Sequence, residues 1–352
     1  MIRERTGPRR RLPMRIRYDS AQKCRRFFIA AFSLAFLTTM GHGASEQAMK
    51  KLGAAKTVED LFEKVAEIQL EALPEFAISY ISDMAIDAEG RLFFADGMRS
   101  RGVFIFSRDG KFIKELARRG QGPGEYQTPS SVEIGRDGNI WVADPMGNRI
   151  SIYDRKWQFL RAILGKPRIP YFLHLGPHDE IFMFRSQANP MRPDTSDTVF
   201  RYDSEGNKIS SFAPFPEEAL KVKFWSGTDG LDIDKDGFLY EMNPLFYRIR
   251  KFAPDGKFIT SFTRKTKLFR VVTQAGDTPV IVNGPFYLEK GLVIAQVSKH
   301  IEIYDTDGRF IVGEIPFPWR IIEANRNSLY AEVDEEENPD AGNPRILVYA
   351  LR

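Results

Sequence analysis

The sequence predicts an all-β chain folded as a six-bladed β-propeller of four-stranded antiparallel blades, and three observations carry that prediction. One unit recurs along the chain: an apolar strand, an acidic-Gly turn, a strand ending near Asp, a polar loop, a third strand and a second turn. The glycines of the second turn fall at 110, 206, 256 and 308, with Arg155 to Trp157 at the missing place, so the repeat is roughly 50 residues long. Each unit supplies short runs rich in β-branched and aromatic residues without a helical period, as propeller blades do.

In order, the first unit reads ISDMAID, AEG, RLFFAD and GVFIFSRDGKFIKEL, and the second SSVEIGRDGNIWVADPMGNRISIYDRKWQFLRAI. The third is FLHLGPHDEIFMFRS, a long loop and TVFRYDSEGNKISSF; the fourth is GLDIDKDGFLYEMNPLFYRIRKFAPDGKFITSF. PFYLEKGLVIAQVSKHIEIYDTDGRFIVGEI makes the fifth, and WRIIEANRNSLYAEV with RILVYALR the sixth. Asp109-Gly110, Asp137-Gly138, Asp236-Gly237, Asp255-Gly256 and Asp307-Gly308 are hairpin turns that need positive φ, which glycine tolerates. The sixth unit ends after three strands, which would leave a long sheet edge open. The segment EIQLEAL, Glu67 to Leu73, alternates apolar and polar and is predicted to close the ring beside RILVYALR; the alternative is a helix continuing from Thr57 through VEDLFEKV.

At 352 residues, with 43% hydrophobic and 12% aromatic content, the chain has enough apolar surface for a large core. Ten basic residues precede an uncharged apolar run, Phe27 to Thr38, and small residues follow at Gly41 and Gly43. That arrangement predicts a signal peptide over 1–44, cleaved after Gly43 or Ala44, with an uncleaved membrane anchor as the alternative. A lead-in over 45–66 and the propeller over 67–352 would follow. The leader holds ten of the 51 Lys and Arg and two of the 47 Asp and Glu, so the remainder has 41 basic and 45 acidic side chains and a formal charge of −4. The basic excess therefore belongs to the leader and gives no support for nucleic-acid binding. The single cysteine, Cys24, lies upstream of the apolar run, which argues against a lipid anchor, and the rest of the chain has no thiol for a disulfide, a nucleophile or a zinc site. The expected location is the periplasm or outside the cell.

The segment GQGPGEYQTPSSVEIGRDGNIWVADPMGNRISIYD, Gly120 to Asp154, resembles the NHL repeat and the bacterial six-bladed propellers built from it. The likeness is specific in the second unit, fair in the first (FFADGMRSRGVFIF) and a skeleton in the others, spanning 67–352. It implies that the glycines of Gly120 to Gly124 carry the chain between blades; they lack the Lys-Ser/Thr and the following helix of a phosphate loop. Asp96, Asp144, Asn148 and Arg149 are read as turn-capping residues.

DIDKDG, with Asp232, Asp234 and Asp236, matches the opening of a Ca²⁺ loop, but its twelfth position is Asn243 and a strand-to-strand turn is the plainer reading. No cofactor is expected otherwise. His174, His178 and His300 are too scattered for a zinc site, and no Ser-His-Asp order can be assembled.

In such a ring the first strand of each unit lines the channel, so residues at the starts of first strands, Asp83, Ser131, His174, Asp229 and Arg320, are candidates for its mouth. The links between units add Arg118, Arg119, Lys166, Arg168, Lys221, Lys223, Arg264, Lys265, Lys267 and Arg270, near Trp225, Phe269 and Trp319, facing an acidic loop from Glu332 to Asp340. Solvated charge is the plain reading; the functional one is a basic arc that steers an acidic ligand. Two functions follow. One is an exported non-enzymatic scaffold that captures a protein, peptide or glycan on its loop-rich face. The other is a metal-dependent hydrolase or lyase, resembling lactonase-like propellers with a divalent ion in the channel, for which Asp83 and Asp229 would serve as ligands.

Overall fold

The structure is a computed structural model that describes residues 46–72, 78, 81–98, 100–165, 172–185, 197–215, 229–243, 246–269, 282–333 and 343–352. The expected leader lies outside them, as do Leu73, Lys166, Arg168, Lys221, Lys223, Trp225 and Arg270. The chain divides into two units, Met1–Lys51 and Leu52–Arg352, and the second holds all the sheets. Among the described residues no helix is long and apolar enough to cross a membrane.

Six antiparallel sheets of four strands each make up the second unit. Their inner strands are Asp83–Ile86, Ser131–Ile134, Phe172–Leu175, Leu231–Ile233, Val282–Leu288 and Arg320–Asn325, for blades one to six. Each inner strand packs against the next and the sixth against the first, which closes the ring. The second and third strands of blades one and two, LFFAD, GVFIF, IWVAD and RISIY, are buried at every position. Neighbouring blades cover both faces of these strands, so they read as continuous apolar runs instead of alternating. Phe93, Val103 and Ile105 of blade one thus share a core with Val132, Val142 and Tyr153 of blade two.

The hairpins repeat one device. An aspartate accepts the backbone N–H groups two and four residues on, as Asp87, Asp154, Asp203, Asp234 and Asp305 do. Four of these five turns reach positive φ at a glycine; in blade two Trp157 takes φ 66° in its place, which is why that glycine is missing from the repeat.

Closure occurs where the sequence placed it, with shifted bounds. The closing strand is Phe62–Gln69, antiparallel to Arg345–Leu351, with Phe62 opposite Leu351, Glu67 opposite Leu347 and Gln69 opposite Arg345. It begins five residues earlier than expected, because the helix from Thr57 lasts one turn, Val58–Leu61. The Asp60 carboxylate binds the N–H groups of Lys56 and Thr57 and fixes that turn. A bulge between Lys64 and Ala66 sets Phe62, opposite Leu351, and Ile68, opposite Ile346, on different faces of the sheet, and both are buried.

Candidate functional site

The inner strands bring one polar contact to every joint of the ring. Ser131 Oγ and the Val132 N–H of blade two donate to the Asp83 carboxylate of blade one, at 2.6 and 2.9 Å. Ser131 in turn meets the backbone of Leu173 in blade three, and His174 Nε2 stands 2.7 Å from Asp229 Oδ2 at the entrance to blade four. Asp232 accepts the Tyr287 N–H of blade five at 2.6 Å, Asn283 donates to the Ile321 carbonyl of blade six at 2.7 Å, and Arg320 donates to the Ile81 carbonyl before blade one at 2.7 Å. The five residues expected at the mouth do converge on the axis. There they fasten blade to blade, a structural task that the sequence reading did not assign.

Two further acids stand at the axis. Glu323 is half-buried and accepts no hydrogen bond from the described residues, and Glu133 has the His174 imidazole at 3.5 Å as its ion-pair partner. Glu133, Glu323, Asp83, Asp229 and Asp232 form an acidic collar around His174. Burial pushes the carboxyls up, Asp83 and Asp232 to about 7 and Glu133 to about 8, against the hydrogen bonds and the His174 charge that favour ionisation. Glu323 is held well above the usual range by burial and by the charges of Glu133, Asp232, Asp83 and Asp229. Burial disfavours the His174 cation, yet Asp229 and Glu133 outweigh it and raise the imidazole to about 10.

The collar divides the channel. At the starts of the inner strands lies a pocket of about 90 Å³ bordered by Ser82, Asp83 and Arg320. At their ends a cavity of about 860 Å³ opens among the first hairpin turns of the blades. Glu133 and Asp232 border both spaces. Among the described residues the cavity of about 860 Å³ thus opens on the face of the first hairpin turns.

Several expected site residues are engaged elsewhere. Arg264 pairs with Glu314 and Glu302 and lies over the Phe310 ring at 4.7 Å. Arg118 pairs with Glu125, which folds back to the Gly122 N–H. Arg119, Lys265 and Lys267 are exposed. The glycine-rich link is held as a connection between blades: Arg149 donates to the carbonyls of Gly120, Gln121 and Gly122, and Asp144 accepts the N–H groups of Gln127 and Thr128.

The carboxylates of DIDKDG do not converge on one point. Asp232 turns into the channel, Asp234 caps its hairpin and accepts the Tyr240 hydroxyl, and Asp236 pairs with Lys235. The motif is the recurrent blade turn preceded by a channel residue. Among the described residues no group of three or more His, Cys, Asp or Glu side chains is placed to hold a metal ion.

Glu133 and Glu323 were missed by reasoning that stopped at the starts of the first strands. Glu133 carried a readable signal: it is an acid two residues beyond Ser131 in an otherwise apolar inner strand, so it shares the axial face. Glu323 carried none, because a register shift between Ile321 and Glu323 sets its direction.

Residues 45–242 match the model of a family described as a domain of unknown function (DUF4934). No curated protein sequence matches the chain. Among solved structures, a Bacteroides vulgatus protein of the DUF4221 family is similar at 11% identity and a TM-score of 0.58, over 83% of this chain and 97% of that one. A Bacteroides fragilis protein described as exported is similar at 13% identity and a TM-score of 0.55, over 83% and 95%. A gluconolactonase from Xanthomonas campestris is similar at 15% identity and a TM-score of 0.52, over 82% and 99%. At these identities the likeness is one of fold.

Proposed function

The chain belongs to the family of unknown function DUF4934, and from that premise we propose that it is an exported, non-enzymatic binding propeller that captures a positively charged ligand on its axis. The observation that carries this reading is the convergence of Glu323, Glu133, Asp83, Asp229 and Asp232 on one half-buried stretch of the axis, where His174 is the cation beside Glu133 and Asp229. Carboxyls crowded together and partly desolvated are costly to ionise, and a bound cation would offset their mutual repulsion. The sign is opposite to that of the acidic partner expected from the links, where Arg264 and Arg118 are already paired. A ligand cation would draw protons off the collar, because carboxyls raised to about 7 and 8 are substantially protonated at neutral pH.

Calorimetric titration with butylammonium, butanol and butyrate tests the reading. Butylammonium is expected to bind with proton release, to lose binding in Glu133→Gln/Glu323→Gln, and to bind where its neutral and anionic counterparts do not. No binding of butylammonium, or equal binding of butyrate, overturns it. Displacement of butylammonium by micromolar Ca²⁺ would transfer the site to the metal-dependent class.

A further inference from the structure

Between the collar and the hairpin turns, the inner strands end in Ile86, Ile134, Leu175 and Ile233, and these four residues border the cavity of about 860 Å³. Its deep end is bordered by Glu133 and Asp232. Its volume falls within the range of roughly 300–1,000 Å³ typical of small-molecule sites. The pocket of about 90 Å³ among the starts of the inner strands has room for no more than a small group.

Resting on the reading above, we infer that the ligand is a small amphipathic ammonium that enters from the hairpin face, its apolar body against Ile86, Ile134, Leu175 and Ile233 and its charged head at Glu133 and Asp232. The order of surfaces along the axis selects this class. A hydrated inorganic cation passing the isoleucines loses water and gains nothing from the apolar walls. An alkyl or aromatic ammonium offsets that loss by burying its own carbon. An amphipathic anion would suit the walls but would meet the acids at the bottom. At the rim Arg91 is paired with Asp87 and Glu89, while Arg136 and Arg155 donate to the carbonyls of Pro177 and Asp137, so these rim cations are already engaged.

The test is a series of primary alkylammonium ions from methyl to octyl, titrated into the full chain. Affinity is expected to rise about threefold to fourfold per methylene over the middle of the series, the increment for burying carbon. Ile134→Thr/Ile233→Thr is expected to flatten that rise while methylammonium binds as before. Ala88→Trp, an exposed turn substitution that narrows the opening without touching the core, is expected to weaken octylammonium more than methylammonium. If all members bind equally, the inference fails and the acidic-axis reading stands. If none binds, the reading itself fails. A rise with chain length that both variants leave intact places the alkyl chain elsewhere and overturns the inference.

Discussion

His174 Nε2 lies 2.7 Å from Asp229 Oδ2, so the contact that ties blade three to blade four also places a positive charge inside the acidic collar. The imidazole is 14% exposed and the carboxylate 29%, so the pair is partly shielded from water. Replacing His174 by Ala would leave Asp229 and Glu133 facing each other without a counter-charge. The expected cost is about 2–3 kcal/mol, somewhat below that of breaking a fully buried pair. Urea denaturation measures it, and an unchanged midpoint would show that the pair does not stabilise the ring.

Glu323→Gln is expected to act in the opposite direction. The amide keeps the shape and removes a charge that Glu133, Asp232, Asp83 and Asp229 repel, so stability should rise by about 1 kcal/mol at pH 8. The gain should vanish at pH 4, where the carboxyl is already protonated. A loss of stability at pH 8 would mean that Glu323 has a stabilising partner in the native ring.

Stability should fall as the medium turns alkaline. Asp83, Asp232 and Glu133 have folded pKa values of about 7, 7 and 8, above their ordinary ones, so their contribution is full below about pH 4 and is lost as pH rises through 8. His174, raised to about 10, contributes fully below pH 6.5 and loses its contribution through pH 10. Both windows have the same sign, so the melting temperature should decline between pH 5 and pH 10. A melting temperature that rises over that interval would contradict the collar electrostatics.

Gly110 connects the first blade to the closing strand. Its φ is 85°, a Cβ there would stand 2.3 Å from the Gln69 carbonyl oxygen, and its own carbonyl accepts the Glu71 N–H at 2.8 Å. Gly291 has a similar φ, 79°, with nothing within 4 Å of a Cβ. Gly291→Ala should cost about 1 kcal/mol, the conformational penalty alone, and Gly110→Ala at least about 2 kcal/mol more for the clash. Equal melting temperatures for the two variants would mean that the closing strand does not press on that turn.

Removing residues through Gln69 should expose the edge of Arg345–Leu351 and lower the melting temperature by more than 10 °C, on the order expected from losing several kcal/mol. Size-exclusion chromatography should then report association through the bare edge. A monomer of unchanged stability would show that closure contributes little.

Architecture was legible in this sequence because it is repetitive and local. Aspartate-glycine turns at a regular spacing, and apolar runs of strand length between them, specify four-stranded blades wherever they recur, and a chain ending three strands into its last blade must find a fourth at its other end. The alternation in EIQLEAL pointed to that strand, whereas its true start at Phe62 depended on the helix Val58–Leu61 ending after one turn. DIDKDG illustrates the limit of spacing. Its alternate carboxylates look equivalent along the chain, yet Asp232 belongs to a strand face and Asp234 to a turn.

By itself, then, the sequence determined the number of blades, their turns and the starts of three inner strands at Asp83, Ser131 and Arg320, because short-range periodicity and turn chemistry act within a few residues. Only the tertiary structure decided that Asp83, Ser131 and Arg320 bond neighbouring blades, that Glu323 joins Glu133 and Asp232 at the axis, and that a cavity opens among the first hairpin turns. Those facts depend on distances between residues 40 to 240 positions apart, fixed by the closure of the ring and by no local pattern.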